Sequence, residues 1–242
     1  MSTFRPVPLP GEGEGSRLVD AVNTTVWRWF AALQRVLERH RTAVLVGAFS
    51  ATFVAGIVLR FFALGRLGLN SDEAVYTGQA ATLAGVDGFA EEFSIFRAHP
   101  LLYQYTVSVV YRIFGLSDFS PRVVSAVFGA ATILVVYLIG KQLAGRRTGL
   151  VAAAIIAVMP FHIVVARQAL LETPMTLFYA AAIYALLRYD AALDDPDASR
   201  WAPYGWAFAI GGLSGLSFMA KEVAGIIIPI IFVTMLVTKH FR

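Results

Sequence analysis

The 242-residue chain contains no cysteine, which removes disulfides, thiolate metal sites and cysteine nucleophiles from its chemistry and leaves the redox compartment unreadable. It is also poor in charge. Only 15% of residues are charged against 57% apolar, and mean hydropathy is +0.66, whereas soluble domains carry roughly a quarter charged residues. A soluble globular chain is thereby excluded, and a polytopic, all-α membrane protein is expected. No glycine-rich nucleotide-phosphate loop and no internal repeat is visible. No short apolar core with a small-residue cleavage site precedes the first apolar run, so that run is expected to be an uncleaved anchor. The net charge of +4 does not imply a nucleic-acid partner, because the basic residues flank apolar runs, where membrane orientation accounts for them.

Apolar runs at 43–64, 123–143, 148–165, 173–189, 204–219 and 223–237 approach or reach the roughly 20 residues that span a hydrocarbon core, giving about six expected transmembrane helices. Lys and Arg set their direction. Arg28, Arg35, Arg39 and Arg41 precede the first run, Lys141, Arg146 and Arg147 separate the second and third, Arg188 follows the fourth, and Lys239 and Arg242 come after the sixth. All of these face the cytoplasm if the segment 100–115 does not cross. That segment is short, begins with Pro100 and carries Tyr103, Gln104, Tyr105, Tyr111 and Arg112, as a headgroup-level or re-entrant helix does. The outer side then receives 67–122 as one large loop, 167–172 as a short one, and Lys221-Glu222 as a third.

Ahead of the first run, residues 1–15 read as a disordered tail rich in Pro, Gly and Glu. Residues 16–42 read as a cytoplasmic interfacial helix, with Val19, Val22, Val26, Phe30, Leu33 and Leu37 at three- and four-residue spacing. The membrane domain is expected over 43–238. Asp190 to Arg200 reads as an acidic connector, and Ala207, Gly211 and Gly215 as a small-residue ridge for a neighbouring helix.

The chemistry-bearing residues all fall on the outer face. Asn70 or Ser71 caps a helix expected to run to about Gly85, with Asp72 and Glu73 in its first turn. Ionised carboxylates are favoured there by the helix dipole alone, so a capping role competes with a catalytic one. Glu172 precedes Thr173-Pro174, itself an ordinary helix start. His99-Pro100 opens the short outer helix. Arg167 and Lys221 stand at span ends, where snorkelling is the default reading of a long cation. His162, one turn inside the third run, reads as a core histidine.

The order of these features is more informative than any one of them. A first span is followed by Asp72-Glu73 opening a loop helix, His99-Pro100 opening a short amphipathic helix, and Ser120-Pro121-Arg122 entering the second span. Pro160, Arg167, Glu172 and Pro174 follow, and then the stretch from Gly215 through Leu216 and Ser217 to Lys221-Glu222. This pattern resembles the GT-C superfamily of polyprenyl-phosphate-sugar-dependent glycosyltransferases, in particular its protein O-mannosyltransferase and aminoarabinose-transferase-like branch. The resemblance covers about 43–238 and corresponds to the N-terminal half of those longer proteins. It departs at the second outer-loop acid, usually Asp in that group and Glu172 here.

The resemblance implies transfer of a sugar from a polyprenyl-phosphate donor to a protein, lipid or glycan acceptor on the extracytoplasmic face of a membrane, with inversion. The compact loops point to a prokaryotic plasma membrane. Such a transfer needs a base for the acceptor hydroxyl, groups that orient the sugar, and cations for the departing phosphate. Asp72 is the expected base, with Glu73 and Glu172 orienting sugar or acceptor, and His99, Arg167 and Lys221 contacting the phosphate. No cofactor is certain. Asp72, Glu73 and Glu172 are the candidate ligands if a divalent ion takes part. Two other classes stay open: a lipid or sugar transporter or flippase, which more often carries its ionisable residues at mid-membrane, and a non-catalytic membrane subunit of a split transferase.

Overall fold

The structure, a computed structural model, describes residues 23–24, 26–29, 41–66, 68–95 and 100–237. The tail 1–15, most of the expected interfacial helix and His99 lie outside the described residues. Residues Met1–Ala48 form one compact unit and Phe49–Arg242 another. Regular structure among the described residues is entirely helical, as composition required. In chain order the helices are α1 (Arg41–Phe61), α2 (Ser71–Ala84), α3 (Phe89–Glu92), α4 (Leu102–Phe114), α5 (Phe119–Val158), α6 (Pro160–Ala166), α7 (Glu172–Asp194), α8 (Ala202–Ala220), a 3₁₀ turn (Glu222–Ile226) and α9 (Ile227–Val237).

Helix α5 is two arms. Ala144 and Gly145 leave the helical region, Gly145 at φ 86°, a conformation that suits a residue without Cβ. The arms fold back on each other, with Ile133 on the first packing with Ala153 and Ala157 on the second. Their closest approach is at Gly140 and Gly149. A Cβ on Gly149 would lie 2.6 Å from the Tyr137 carbonyl oxygen and 2.9 Å from the Lys141 nitrogen, so backbone rather than a movable side chain sets the limit. Gly149→Leu is therefore expected to part the arms and cost about 1–3 kcal/mol. Thermal unfolding in detergent measures it, and an unchanged midpoint would contradict the packing described.

By length and composition, α5 is the one helix among the described residues that is long and apolar enough to cross a membrane, while Phe49–Phe61 and Glu222–Met235 form shorter apolar helices. The structure redraws several expected boundaries. The run 148–165 breaks at Met159, because Pro160 has no amide hydrogen to continue the helix and starts α6 instead. The sixth run opens in a 3₁₀ turn before α9. Helix α7 continues to Asp194, so the acidic connector begins only after it. The ridge of Ala207, Gly211 and Gly215 is exposed, with nothing within 4 Å of a Cβ built on either glycine. Helix α8 instead turns Ile210 toward Ala182 and Ala185 of α7, since the larger apolar side chain gains more from burial.

The elements expected on the outer face pack as a separate small core. Helix α4 is amphipathic: Tyr103, Val107 and Tyr111 are buried with Tyr76, Ala80 and Ala81 of α2 and with Ala169 and Leu171, while Tyr105, Val109 and Ile113 are exposed. Fully buried Tyr103 donates or accepts at 2.8 Å with the Ser125 hydroxyl and donates to the Pro121 carbonyl at 2.9 Å. These bonds satisfy its phenol and fix α4 to the start of α5.

Candidate active site

Helix α2 starts as its sequence dictates. The Asn70 side chain accepts from the Glu73 amide at 2.9 Å and the Glu73 carboxylate accepts from the Asn70 amide at 3.1 Å, a reciprocal capping box. The two adjacent acids then part. Asp72 is exposed, whereas Glu73 is 1% exposed.

Glu73 is saturated by the protein itself. Its Oε1 accepts from Arg122 Nε at 2.7 Å and from the Ala169 amide at 2.9 Å, and its Oε2 from Arg122 Nη2 at 2.8 Å in addition to the Asn70 amide. Four donors on two oxygens leave no room for a sugar hydroxyl or a metal ion. Sequence reasoning grouped Glu73 with Asp72; the geometry makes it the anchor of the helix start. Burial pushes its carboxyl up, but the bonds from Arg122, Ala169 and Asn70 outweigh that and hold it below the usual range. Arg122 also donates to the carbonyls of Leu64 at 2.8 Å and Gly68 at 2.9 Å, so one guanidinium ties the loop after α1 to the start of α2.

A second acid–base pair joins the end of α8 to the start of α7. Lys221, where α8 ends, donates to Glu172 Oε1 at 2.5 Å, while Glu172 Oε2 is buried without a partner among the described residues. Burial pulls the Lys221 ammonium down, yet the bond and charge of Glu172 more than offset it, and the pKa lies above the ordinary lysine value. What joins this pair to Asp72 is Tyr76, one turn further along α2 and 9% exposed. Its phenol is raised by burial and by the charges of Asp72, Glu172 and Glu222, with Lys221 pulling the other way. Three of the residues selected from sequence, Asp72, Glu172 and Lys221, therefore act on one buried phenol together with Glu222.

Arg167 stands apart. Its Nη1 donates to the carbonyls of Leu59 at 2.5 Å and Phe62 at 2.7 Å, occupying acceptors that the last turn of α1 leaves open. It lines a cavity of about 340 Å³ with Ala63, Leu64, Gly68, Asn70, Glu73, Arg122, Val164 and Gln168. Asp72, Glu172 and Lys221 are not in that lining. Among the described residues no three acidic or histidine side chains assemble as a metal-ligand set.

Two functional residues escaped the sequence reading. Tyr76 gave no signal, since a tyrosine at helical spacing is ordinary core. Arg60 did give one, a lone cation inside an apolar run. It is 0% exposed and among the described residues has no acid partner: Nη1 donates to Gly56 and Ala157 carbonyls at 2.7 Å each, and Nη2 to the Ile156 carbonyl at 3.0 Å, with His162 Nδ1 at 2.8 Å. Its guanidinium seals the carbonyls released where Pro160 ends the second arm of α5. His162 is thus held by Arg60, with Nδ1 as acceptor.

The comparisons with known proteins agree with this architecture. A family model described as dolichyl-phosphate-mannose-protein mannosyltransferase matches residues 98–242. Among solved structures, apo ArnT from Cupriavidus metallidurans superposes with a TM-score of 0.65 at 22% identity, covering 81% of this chain and 36% of that one. ArnT from the same organism bound to undecaprenyl phosphate gives 0.61 at 23% identity, covering 80% and 36%. At these identities the likeness shows a shared fold, and this chain spans about a third of ArnT. No curated protein matches. Because the family model extends over more than half of its length, the chain belongs to the dolichyl-phosphate-mannose-protein mannosyltransferase family of GT-C membrane proteins.

Proposed function

We propose that this chain carries the catalytic end of a membrane glycosyltransferase that moves a sugar from a polyprenyl-phosphate donor to an acceptor hydroxyl on the extracytoplasmic face. The observation that carries this reading is the Glu172–Lys221 ion pair, which together with exposed Asp72 and with Glu222 lies within electrostatic reach of the buried Tyr76 phenol. Asp72 is the base: it is solvent-accessible and held at a capped helix start. It removes the acceptor proton as the oxygen attacks the anomeric carbon and the carbon–phosphate oxygen bond breaks, which inverts the centre. Lys221 has two N–H groups beyond its bond to Glu172 and offers them to the charge growing on the departing phosphate. Glu172, whose side chain is 36% exposed, orients a sugar hydroxyl. Glu73 and Arg122 position Asp72 without touching substrate. His99 and Arg167 complete the proposed phosphate contacts only through the resemblance; Arg167 lies in a different cavity. The undecaprenyl phosphate bound by the similarly folded ArnT supports a polyprenyl donor.

The test is transfer of label from a panel of radiolabelled polyprenyl-phosphate hexoses and pentoses, using membranes that hold the longest natural form of the protein, wild type against Asp72→Asn, with insertion of both verified. Label moved by the wild type and lost in the variant supports the reading and identifies the sugar. Equal transfer removes Asp72 as base. Absence of transfer from every donor favours the transporter or the non-catalytic subunit.

The proposed orientation has its own check. Glu91, in the short helix α3, and Arg147, in the second arm of α5, are both exposed, and the chain offers no native cysteine to interfere. In intact cells a membrane-impermeant maleimide is expected to label Glu91→Cys and not Arg147→Cys. The reverse pattern would invert the topology and move Asp72 to the cytoplasmic side.

A further inference from the structure

The cavity beside Arg167 shares no charged residue with the cluster around Tyr76, and its chemistry is distinct. Two guanidiniums, Arg122 and Arg167, line it against the single carboxylate of Glu73. Glu73 is spent on Arg122, so the charge of Arg167 is uncompensated. That side chain commits only Nη1 to the α1 carbonyls; among the described residues Nε and Nη2, the edge that matches a phosphate or carboxylate in bidentate fashion, have no partner. The Gln168 carboxamide and the Asn70 side-chain NH₂, in the same lining, have no hydrogen-bond partner among the described residues. The remaining wall is Ala63, Leu64 and Val164. Val164 is 53% exposed, and Phe161 on the same face of α6 is 73% exposed, so the cavity opens along an apolar edge.

A net positive cavity with a guanidinium edge, two amide donors and an apolar exit fits an anion on a hydrocarbon chain. Its volume of about 340 Å³ stands at the small end of ligand pockets, roughly 300–1,000 Å³. That is room for a headgroup and its first carbons, with the rest of the chain left outside along Val164 and Phe161. We infer that this cavity is a second lipid site, which takes the phosphate of a membrane lipid on Arg167, Gln168 and Asn70. The inference goes beyond the transferase reading and does not depend on it.

The test is native mass spectrometry of the whole chain in neutral detergent, in a Lys221→Met background so that the site around Tyr76 does not supply the signal. The probes are farnesyl phosphate, phosphatidylglycerol and inorganic phosphate. Bound lipid phosphate is expected, with affinity about tenfold lower in Arg167→Gln, for the loss of a charge-assisted fork, and similarly lower in Val164→Trp, which fills the exit. Gln168→Leu is expected to weaken binding severalfold while leaving the Arg167 bonds to α1 intact, so a folding defect in Arg167→Gln does not decide the matter. Preference for farnesyl phosphate assigns an isoprenoid carrier, equal retention of phosphatidylglycerol assigns bulk phospholipid, and displacement of either by inorganic phosphate shows that the headgroup dominates. Retention of neither lipid, or retention unchanged in both Val164→Trp and Gln168→Leu, overturns the site. Asp72→Asn leaves this binding in place, which separates its failure from that of the transferase reading.

Discussion

Asp72→Asn is expected to slow sugar transfer by about 10²–10⁴-fold, the usual contribution of a positioned general base, while the protein stays folded. The two halves of that expectation rest on different parts of the helix start. Asparagine keeps the shape of the side chain and removes its basicity, so the acceptor hydroxyl loses the group that takes its proton. The capping box belongs to Asn70 and Glu73, not to Asp72, and Asp72 is exposed, so α2 still begins where it did. The loss falls on kcat, with the KM for donor little changed, because the proposed phosphate contact is Lys221, which the substitution leaves in place. Initial rates at saturating donor, paired with a thermal midpoint, separate the outcomes. A variant within threefold of wild type removes Asp72 from the chemistry. A variant that loses activity and stability together assigns Asp72 to the fold.

Arg122→Ala is expected to have the opposite profile, with stability as the larger loss. It leaves the Glu73 carboxylate buried beside an empty space and frees the Leu64 and Gly68 carbonyls of their donor. Removing one partner of a buried pair costs about 3–5 kcal/mol, on the order of 10 °C in the unfolding midpoint for a chain of this size. Arg122→Leu combined with Glu73→Gln is expected to recover part of that loss, since the stranded charge is gone. The pH dependence follows from the lowered Glu73 pKa. A depressed carboxyl contributes stability above its unfolded pKa of about 4.3. That contribution is lost as pH falls below this value and through the folded pKa, where Glu73 takes up its proton. In Arg122→Ala the acid-sensitive part of the stability shrinks, because the ion pair that depressed the pKa is missing. A wild-type protein whose stability is flat through that acid range would contradict the assignment.

Sequence made the membrane class legible because composition alone decides the solvent of folding. It also gave the bounds of α2, because its signals are local: Asn70, Glu73 and Gly85 lie within one helix and act on their own neighbours. The separate fates of Asp72 and Glu73 were not legible. They depend on Arg122 and Ala169, residues 49 and 96 positions away, and nothing local distinguishes two adjacent acids. The same holds for Arg167, whose snorkelling appearance at a span end gave no hint that it holds α1. Boundaries within the apolar runs failed where backbone chemistry overrode hydropathy, at Pro160 and at the 3₁₀ turn after Lys221. The exposed ridge on α8 shows the limit of small-residue patterns, which indicate where a helix tolerates a neighbour, not which side one occupies.

The three arginines that converge on the outer end of α1 set an order of events for a chain that emerges from the ribosome N-terminus first. Beyond the Gly56 carbonyl of its own helix, Arg60 finds its acceptors at Ile156 and Ala157, and among the described residues Arg167 is the side chain that fills the acceptors at Leu59 and Phe62. Glu73 waits for Arg122 and then for the Ala169 amide. Helix α2 can pack on α4 and reach Arg122 once the first half of this chain has been made, but the surroundings of Asp72 are complete only when roughly two-thirds of it is present and the Ala169 amide reaches Glu73.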